Sequence, residues 1–149
     1  MPDFQPRHPD YAARVAESLA SQAFMHEVLG ARVRAVRPGE VEIEAAARPA
    51  LQQPAGHAHG SVLVALADSA TGYAAQTLLA AGFDIVTVEL KFNFMAPAFG
   101  ERYVARGRVL RQGRTLSVCV GDVFALIAGE ETHVACIQTT MMAVPVHAG

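Results

Sequence analysis

Asp68 is the residue whose presence in this chain most needs a reason. It stands inside Val62-Leu63-Val64-Ala65-Leu66-Ala67-Asp68-Ser69-Ala70, where an ionised carboxylate is costly unless it is paired, lines a cavity or does chemistry. A carboxylate so placed can act as a nucleophile or a general base. An aspartate bonded to Ser69, Thr71 or a neighbouring strand is the purely structural alternative. Eight residues earlier, Gly60 opens the same apolar stretch. The first turn of a helix offers free backbone N–H groups and the positive end of a dipole, and a glycine lets a ligand approach that backbone closely. Such a group stabilises a carbonyl oxygen as it becomes an oxyanion. Eight helical residues span about 12 Å, too far for Gly60 and Asp68 of one chain to grip one carbonyl. Either two chains build the site or one of the two residues lies outside it.

Other polar residues gather just ahead of Gly60. The His57-x-His59 spacing suggests a metal, but no third ligand stands at a supporting distance, so no metal is expected. His59 is expected to hold the loop at the helix start. Ser61 and Ser69 lack the G-x-S-x-G setting of a nucleophilic serine. The glycines are scattered singly, which excludes a phosphate loop or a dinucleotide fingerprint. Five of the eleven arginines fall between Arg102 and Arg114, against a single lysine, Lys91. That is a local basic patch in a chain whose net charge of −2 gives no sign of a nucleic-acid partner.

The elements that would position these residues can be read from periodicity. Asp10 to Leu29 is helical in character, with Asp10 as its cap and Val15, Leu19, Gln22 and Ala23 near one face. Gly30 ends it. From Ala31 the period becomes two, and Arg37-Pro38-Gly39-Glu40 turns the chain back into Val41-Glu42-Ile43-Glu44, a β-hairpin. Pro49 to His59 is an irregular loop, followed by a helix from Gly60 to Ala81 that Gly82 ends. Ile85 to Met95 alternates, with Thr87, Glu89, Lys91 and Asn93 on one face and Val88, Leu90, Phe92 and Phe94 on the other. Two further strands, Tyr103 to Leu110 and Thr115 to Ile127, are joined by the turn Arg111 to Arg114. Ala128 to Glu131 leads into a last strand, His133 to Val144. Consecutive strands with short turns make an antiparallel sheet and an α+β class. A lone helix that is apolar nearly all round must be wrapped by that sheet.

Composition agrees with one domain. A chain of 149 residues leaves little room for a second, and with 52% hydrophobic and 17% charged residues some apolar surface is expected to lie in a subunit interface. Cys119 and Cys136 have no CxxC spacing and read as free thiols. The polar segment Met1 to Asp10, with its three prolines, is not expected to act as a secretory signal. The run Ser61 to Ala81 contains Asp68, Gly72 and Gln76, so it reads as a buried helix and not as a membrane span. A cytoplasmic location is expected.

The motif G-x-x-H-G-S at Gly56 to Ser61, followed by L-x-D-x-A at Leu66 to Ala70, resembles the hotdog-fold thioesterases, specifically the PaaI-like acyl-CoA thioesterase group. Ile85 to Ala98 is similar to that family's strand after the helix, with its closing proline, and Gly107 to Thr115 to its following hairpin. The resemblance covers about 100 residues, Ala31 to Val144, in the same order of elements. It divides the chain into an N-terminal helical extension, 1–30, and a hotdog domain, 31–149. It implies an acyl-CoA substrate with no cofactor beyond the coenzyme A that the substrate carries. Gly60 would polarise the thioester carbonyl with its N–H, and Asp68 would supply the carboxylate. Thr87 would position water or that carboxylate, and Gln53 replaces the family's usual asparagine. His59 and Ser61 would border the substrate, with Ser61 in place of a second glycine. Arg106, Arg108, Arg111 and Arg114 would meet the phosphates of coenzyme A, and Val64, Tyr73 and Phe83 would line the acyl pocket. The family's sites lie between two subunits, which resolves the 12 Å spacing: Gln53 and Gly60 from one chain, Asp68 and Thr87 from its partner. A homodimer, and a tetramer formed from two of them, is implied. A non-catalytic acyl-CoA binder and a hydroxyacyl-thioester dehydratase are the alternatives; the latter needs a histidine base in a motif not found here.

Overall fold

The computed structural model describes residues 3–146; positions 1–2 and 147–149, at the ends of the two expected segments, lie outside them. The order is α1 (Tyr11–Ser21), β1 (Arg32–Arg37), β2 (Glu40–Ala46), α2 (Gly60–Gln76), β3 (Phe83–Phe94), β4 (Arg102–Gln112), β5 (Leu116–Ile127) and β6 (Glu130–Pro145). All six strands form one antiparallel sheet in the order β1-β2-β4-β5-β6-β3. The sheet wraps α2, whose Leu63, Leu66, Ala70 and Ala74 are among the most deeply buried residues. The α+β class, the wrapped central helix and the extra N-terminal helix are as expected. No helix among the described residues is long and apolar enough to cross a membrane.

Helix and sheet meet most closely at a pair of glycines. Gly107 of β4 and Gly121 of β5 are cross-strand partners. A Cβ on Gly107 would sit 2.3 Å from the carbonyl carbon of Ala70 and 2.5 Å from the nitrogen of Thr71, both backbone atoms of α2. A Cβ on Gly121 would come within 3.0 Å of the Thr71 methyl. The two glycines are the seat on which α2 rests, one turn beyond Asp68. Gly107→Ala is therefore expected to cost at or above the about 1–3 kcal/mol typical of overpacking, read as a lowered urea midpoint. An unchanged midpoint would mean that the helix is not seated there.

Three local departures from periodicity have identifiable causes. Asp10 makes no side-chain bond to the first turn of α1; its own N–H is donated to His8 Nδ1 at 3.0 Å. The first helix breaks at Gln22, which turns extended, and a short π-helical turn, Phe24–Val28, follows. Gln22 and Ala23 are consequently exposed, and Met25 and Leu29 are buried in their place, beside Val15 and Leu19. The central helix stops at Gln76 and not at Ala81. There the Thr77 hydroxyl donates to Ala74 O (2.6 Å) and accepts the N–H of Gly39 (2.7 Å). Leu78 and Leu79 extend the apolar pattern past the helix end because they are buried, not because they are helical.

β3 lies at an edge of the sheet. Its register against β6 slips between Thr87 and Glu89, leaving Val88 as the extra residue of a bulge. A bulge changes which face the following side chains take. Thr87 pairs with buried Met141, and Leu90, Phe92 and Phe94 pair with buried Thr139, Ile137 and Ala135. Thr87 thus shares the inner face with Leu90, Phe92 and Phe94. The expected grouping of Thr87 with Glu89, Lys91 and Asn93 is corrected: strict alternation fails at Val88.

Candidate active site

Two groups of residues stand at different points along α2. At its start, His59 is extended and acts as the cap: its ring Nδ1 accepts the Ser61 N–H at 3.2 Å and lies 2.7 Å from Ser61 Oγ. Val62 N–H donates to His59 O at 3.0 Å. Among the described hydrogen bonds none uses the Gly60 N–H, so the donor at the positive end of a 17-residue helix is unspent. The loop that delivers it is pinned by backbone bonds. Gln53 N–H donates to His57 O and Gly56 N–H to Gln53 O, each at 2.8 Å, with Gly56 at φ +86°, a turn conformation that favours glycine. Ala58 N–H reaches Ala98 O (3.0 Å), and His59 N–H reaches Leu51 O (2.9 Å). Gln53 is half-buried, with no described side-chain hydrogen bond. A cleft of about 400 Å³ opens beside Gly60, lined also by His57, Leu63, Phe94, Met95 and Pro97. Val64, Tyr73 and Phe83 are not among its lining.

Two turns further along, Asp68 is half-buried and faces β3, where the Thr87 hydroxyl donates to its Oδ1 at 2.9 Å. Thr87 faces inward in register with Ile85, and the bulge at Val88 brings Leu90, Phe92 and Phe94 onto that same face. Burial holds the Asp68 carboxyl above the ordinary carboxylate value, and the Thr87 hydrogen bond opposes that effect without cancelling it. The mechanism is desolvation of the charged form. If the carboxylate is the working species, activity falls as pH drops through this raised value. Thr87→Val removes the opposing bond, so the acid limb of kcat/KM is expected to move to higher pH while kcat declines. A limb that stays in place or moves to lower pH would detach Thr87 from Asp68.

The remaining residues do not converge. Arg106 and Arg108 alternate with Ala105, Gly107 and Val109, which are buried against α2, and so project from the opposite face of the sheet. Arg106 is engaged there: its guanidinium donates to both carboxylate oxygens of Glu131 (2.9 and 2.5 Å), its Nε is 3.5 Å from Glu42, and it lies 4.5 Å over the Phe124 ring. To bind a phosphate it would have to give up these partners. Arg108, Arg111 and Arg114 are exposed. Arg111 pairs with Val118 near the end of β4, and Arg114 lies in the turn that follows. Among the described residues no three His, Cys, Asp or Glu side chains are grouped to hold a metal ion. Periodicity did not single out the Val88 bulge, the Gly107–Gly121 seat or the contact of Phe94 with Gly60. Only a glycine in mid-strand hinted at one of them.

A six-stranded antiparallel sheet wrapped on one long helix, with a desolvated carboxylate midway along the helix and an unspent N–H at its start, is the hotdog architecture. The comparisons with known proteins agree. The family model described as the thioesterase superfamily matches residues 55–130, the stretch that holds Gly60, Asp68 and Thr87. A protein of Saccharolobus solfataricus, named as a candidate esterase, is 32% identical over 99 residues, covering 66% of this chain and 69% of that one. The crystal structure of a thioesterase family protein from Silicibacter pomeroyi superposes with a TM-score of 0.88 at 39% identity, over 91% of this chain and 99% of that one. The E. coli PaaI protein of the phenylacetic acid degradation operon shares the fold, with a TM-score of 0.77 at 19% identity over 90% and 94% of the two chains. The chain belongs to the thioesterase superfamily.

Proposed function

We propose that this protein is a cytoplasmic acyl-CoA thioesterase whose active site is completed by a second copy of the chain. The observation that carries this reading is the division of the two polar groups. Gly60 with its free N–H and Asp68 with its Thr87 partner belong to one helix, about 12 Å apart along its axis. An unpaired sheet edge invites a partner strand, and β3 presents one. It is 40–51% exposed at Phe83, Val86, Val88 and Leu90. α2 runs antiparallel to β3: Gly60 neighbours Phe94, Asp68 bonds Thr87, and Gly72 lies against Ile85. Pairing two β3 strands antiparallel about a two-fold axis therefore carries the Gly60 end of one helix towards the Asp68 region of the other. The apolar excess of the composition fits such an interface. Its assembly into a tetramer is part of the same proposal.

In this site the Gly60 N–H polarises the thioester carbonyl and stabilises the oxyanion. The partner's Asp68 either attacks the carbonyl carbon, giving an anhydride that water then cleaves, or takes a proton from a water that attacks directly. In both routes the C–S bond breaks, water supplies the acid oxygen, and coenzyme A leaves as its thiol. Thr87 holds the carboxylate, and Gln53 orients the water. Arg108, Arg111 and Arg114 are the exposed cations available to the phosphates of coenzyme A; Arg106 is the one already paired. A thiol-release assay over acyl- and aryl-CoA thioesters tests the reading. Turnover of at least one is expected. Saturable binding without thiol release would favour the non-catalytic binder instead.

A further inference from the structure

The cleft beside Gly60 is walled on one side by a residue with an unusual placement. Phe94 is the last residue of β3, and its ring atoms Cζ and Cε1 lie 3.0 and 3.2 Å from where a Gly60 Cβ would be. The missing side chain of Gly60 is therefore filled by a ring of the same chain. A second contact steadies that ring: the Phe92 ring is 4.7 Å away, centroid to centroid, tilted by 54°. Yet Phe94 is 57% exposed, beside Met95 at 51%. A large apolar ring held in place at a cleft and left open to solvent is shaped to meet a ligand.

We infer that Phe94 is a specificity-determining residue that selects against branching at the carbon next to the thioester carbonyl. The inference rests on the thioesterase reading above. A carbonyl oxygen on the Gly60 N–H sits within a few ångströms of the Phe94 ring edge, because that edge already lies where a Gly60 Cβ would meet it. Of the two other substituents on the carbonyl carbon, the sulfur leads outward to coenzyme A, and the acyl carbon enters the apolar cleft. That carbon is the first substrate atom to pass Phe94. A planar aryl carbon or an unbranched methylene passes along the ring, whereas a second methyl group on the same carbon meets it. A hydrophobic pocket discriminates a single methyl group by about 10–200-fold.

The pair butyryl-CoA and isobutyryl-CoA isolates this effect, since the two thioesters are isomers with the same carbon count. The wild-type protein is expected to favour butyryl-CoA in kcat/KM by about tenfold or more. Phe94→Ala is expected to collapse that ratio towards unity, chiefly by improving isobutyryl-CoA, with Phe94→Leu in between. Because Phe94 is more than half exposed, both variants keep the core intact. A merely structural role for Phe94 would lower both rates together and leave the ratio unmoved, and that result would overturn the inference. So would a wild-type protein with no preference between the isomers. Absence of hydrolysis of every acyl- and aryl-CoA tested would instead overturn the thioesterase reading itself.

Discussion

Asp68→Asn is expected to lower kcat by about 10²–10⁴-fold, the usual contribution of a positioned base, without weakening the fold. The second half of that expectation follows from linkage. Burial raises the Asp68 pKa in the folded protein, so the folded state binds its proton more tightly than the unfolded chain does. The stability that Asp68 contributes is then fully present below the ordinary carboxylate pKa and is lost as pH rises through the raised value. At neutral pH the ionised side chain is a net cost to folding. Asparagine removes the charge and keeps an oxygen that can still accept from the Thr87 hydroxyl. Thermal unfolding at pH 7 should therefore place Asp68→Asn at or above the wild-type Tm, with the difference vanishing in acid. A structural aspartate would behave in the opposite way, losing stability at pH 7 and leaving turnover in place.

Gly60→Pro is the second large effect, and it removes one atom of interest with little else. Gly60 is the first residue of α2 after the cap His59, the position where proline is best tolerated in a helix because its N–H has no intrahelical partner. His59 already has the extended conformation, φ −64° and ψ 134°, that a residue before proline prefers. The helix should form as before, with no donor at its start. Loss of one oxyanion donor costs about 10²–10³-fold in kcat. The new ring also crowds Phe94, so Gly60→Ala is the control. It keeps the N–H and adds only the Cβ that displaces the Phe94 ring end. The account expects Gly60→Ala to retain far more activity than Gly60→Pro; equal losses would assign the glycine to packing alone.

Much of this was legible in the residues themselves. The apolar run that opens at Gly60 after an irregular loop, and the alternation that resumes after Gly82, pointed to the wrapped helix and the antiparallel sheet. The cost of a carboxylate among alanines and leucines pointed to Asp68. What escaped was set by tertiary packing. The Val88 bulge leaves no mark in side-chain type, yet it decides which residues of β3 share the inner face with Thr87. Leu78 and Leu79 look helical because they are buried. Gln22 breaks the first helix at a point where the apolar spacing continues. Nor does the patch of arginines reveal that Arg106 is held by Glu131 and Glu42, which come from strands distant in sequence.

The central claim is that each site takes Gly60 from one chain and Asp68 from another. Mixing two inactive proteins under conditions that exchange subunits tests it directly. In a mixed dimer of Asp68→Asn and Gly60→Pro, one site would carry both substitutions and the other neither. With random exchange, half of the dimers are mixed, and activity should return to about a quarter of the wild-type value from components that are each inactive alone. A mixture that exchanges subunits yet stays as inactive as its components would contradict a shared site.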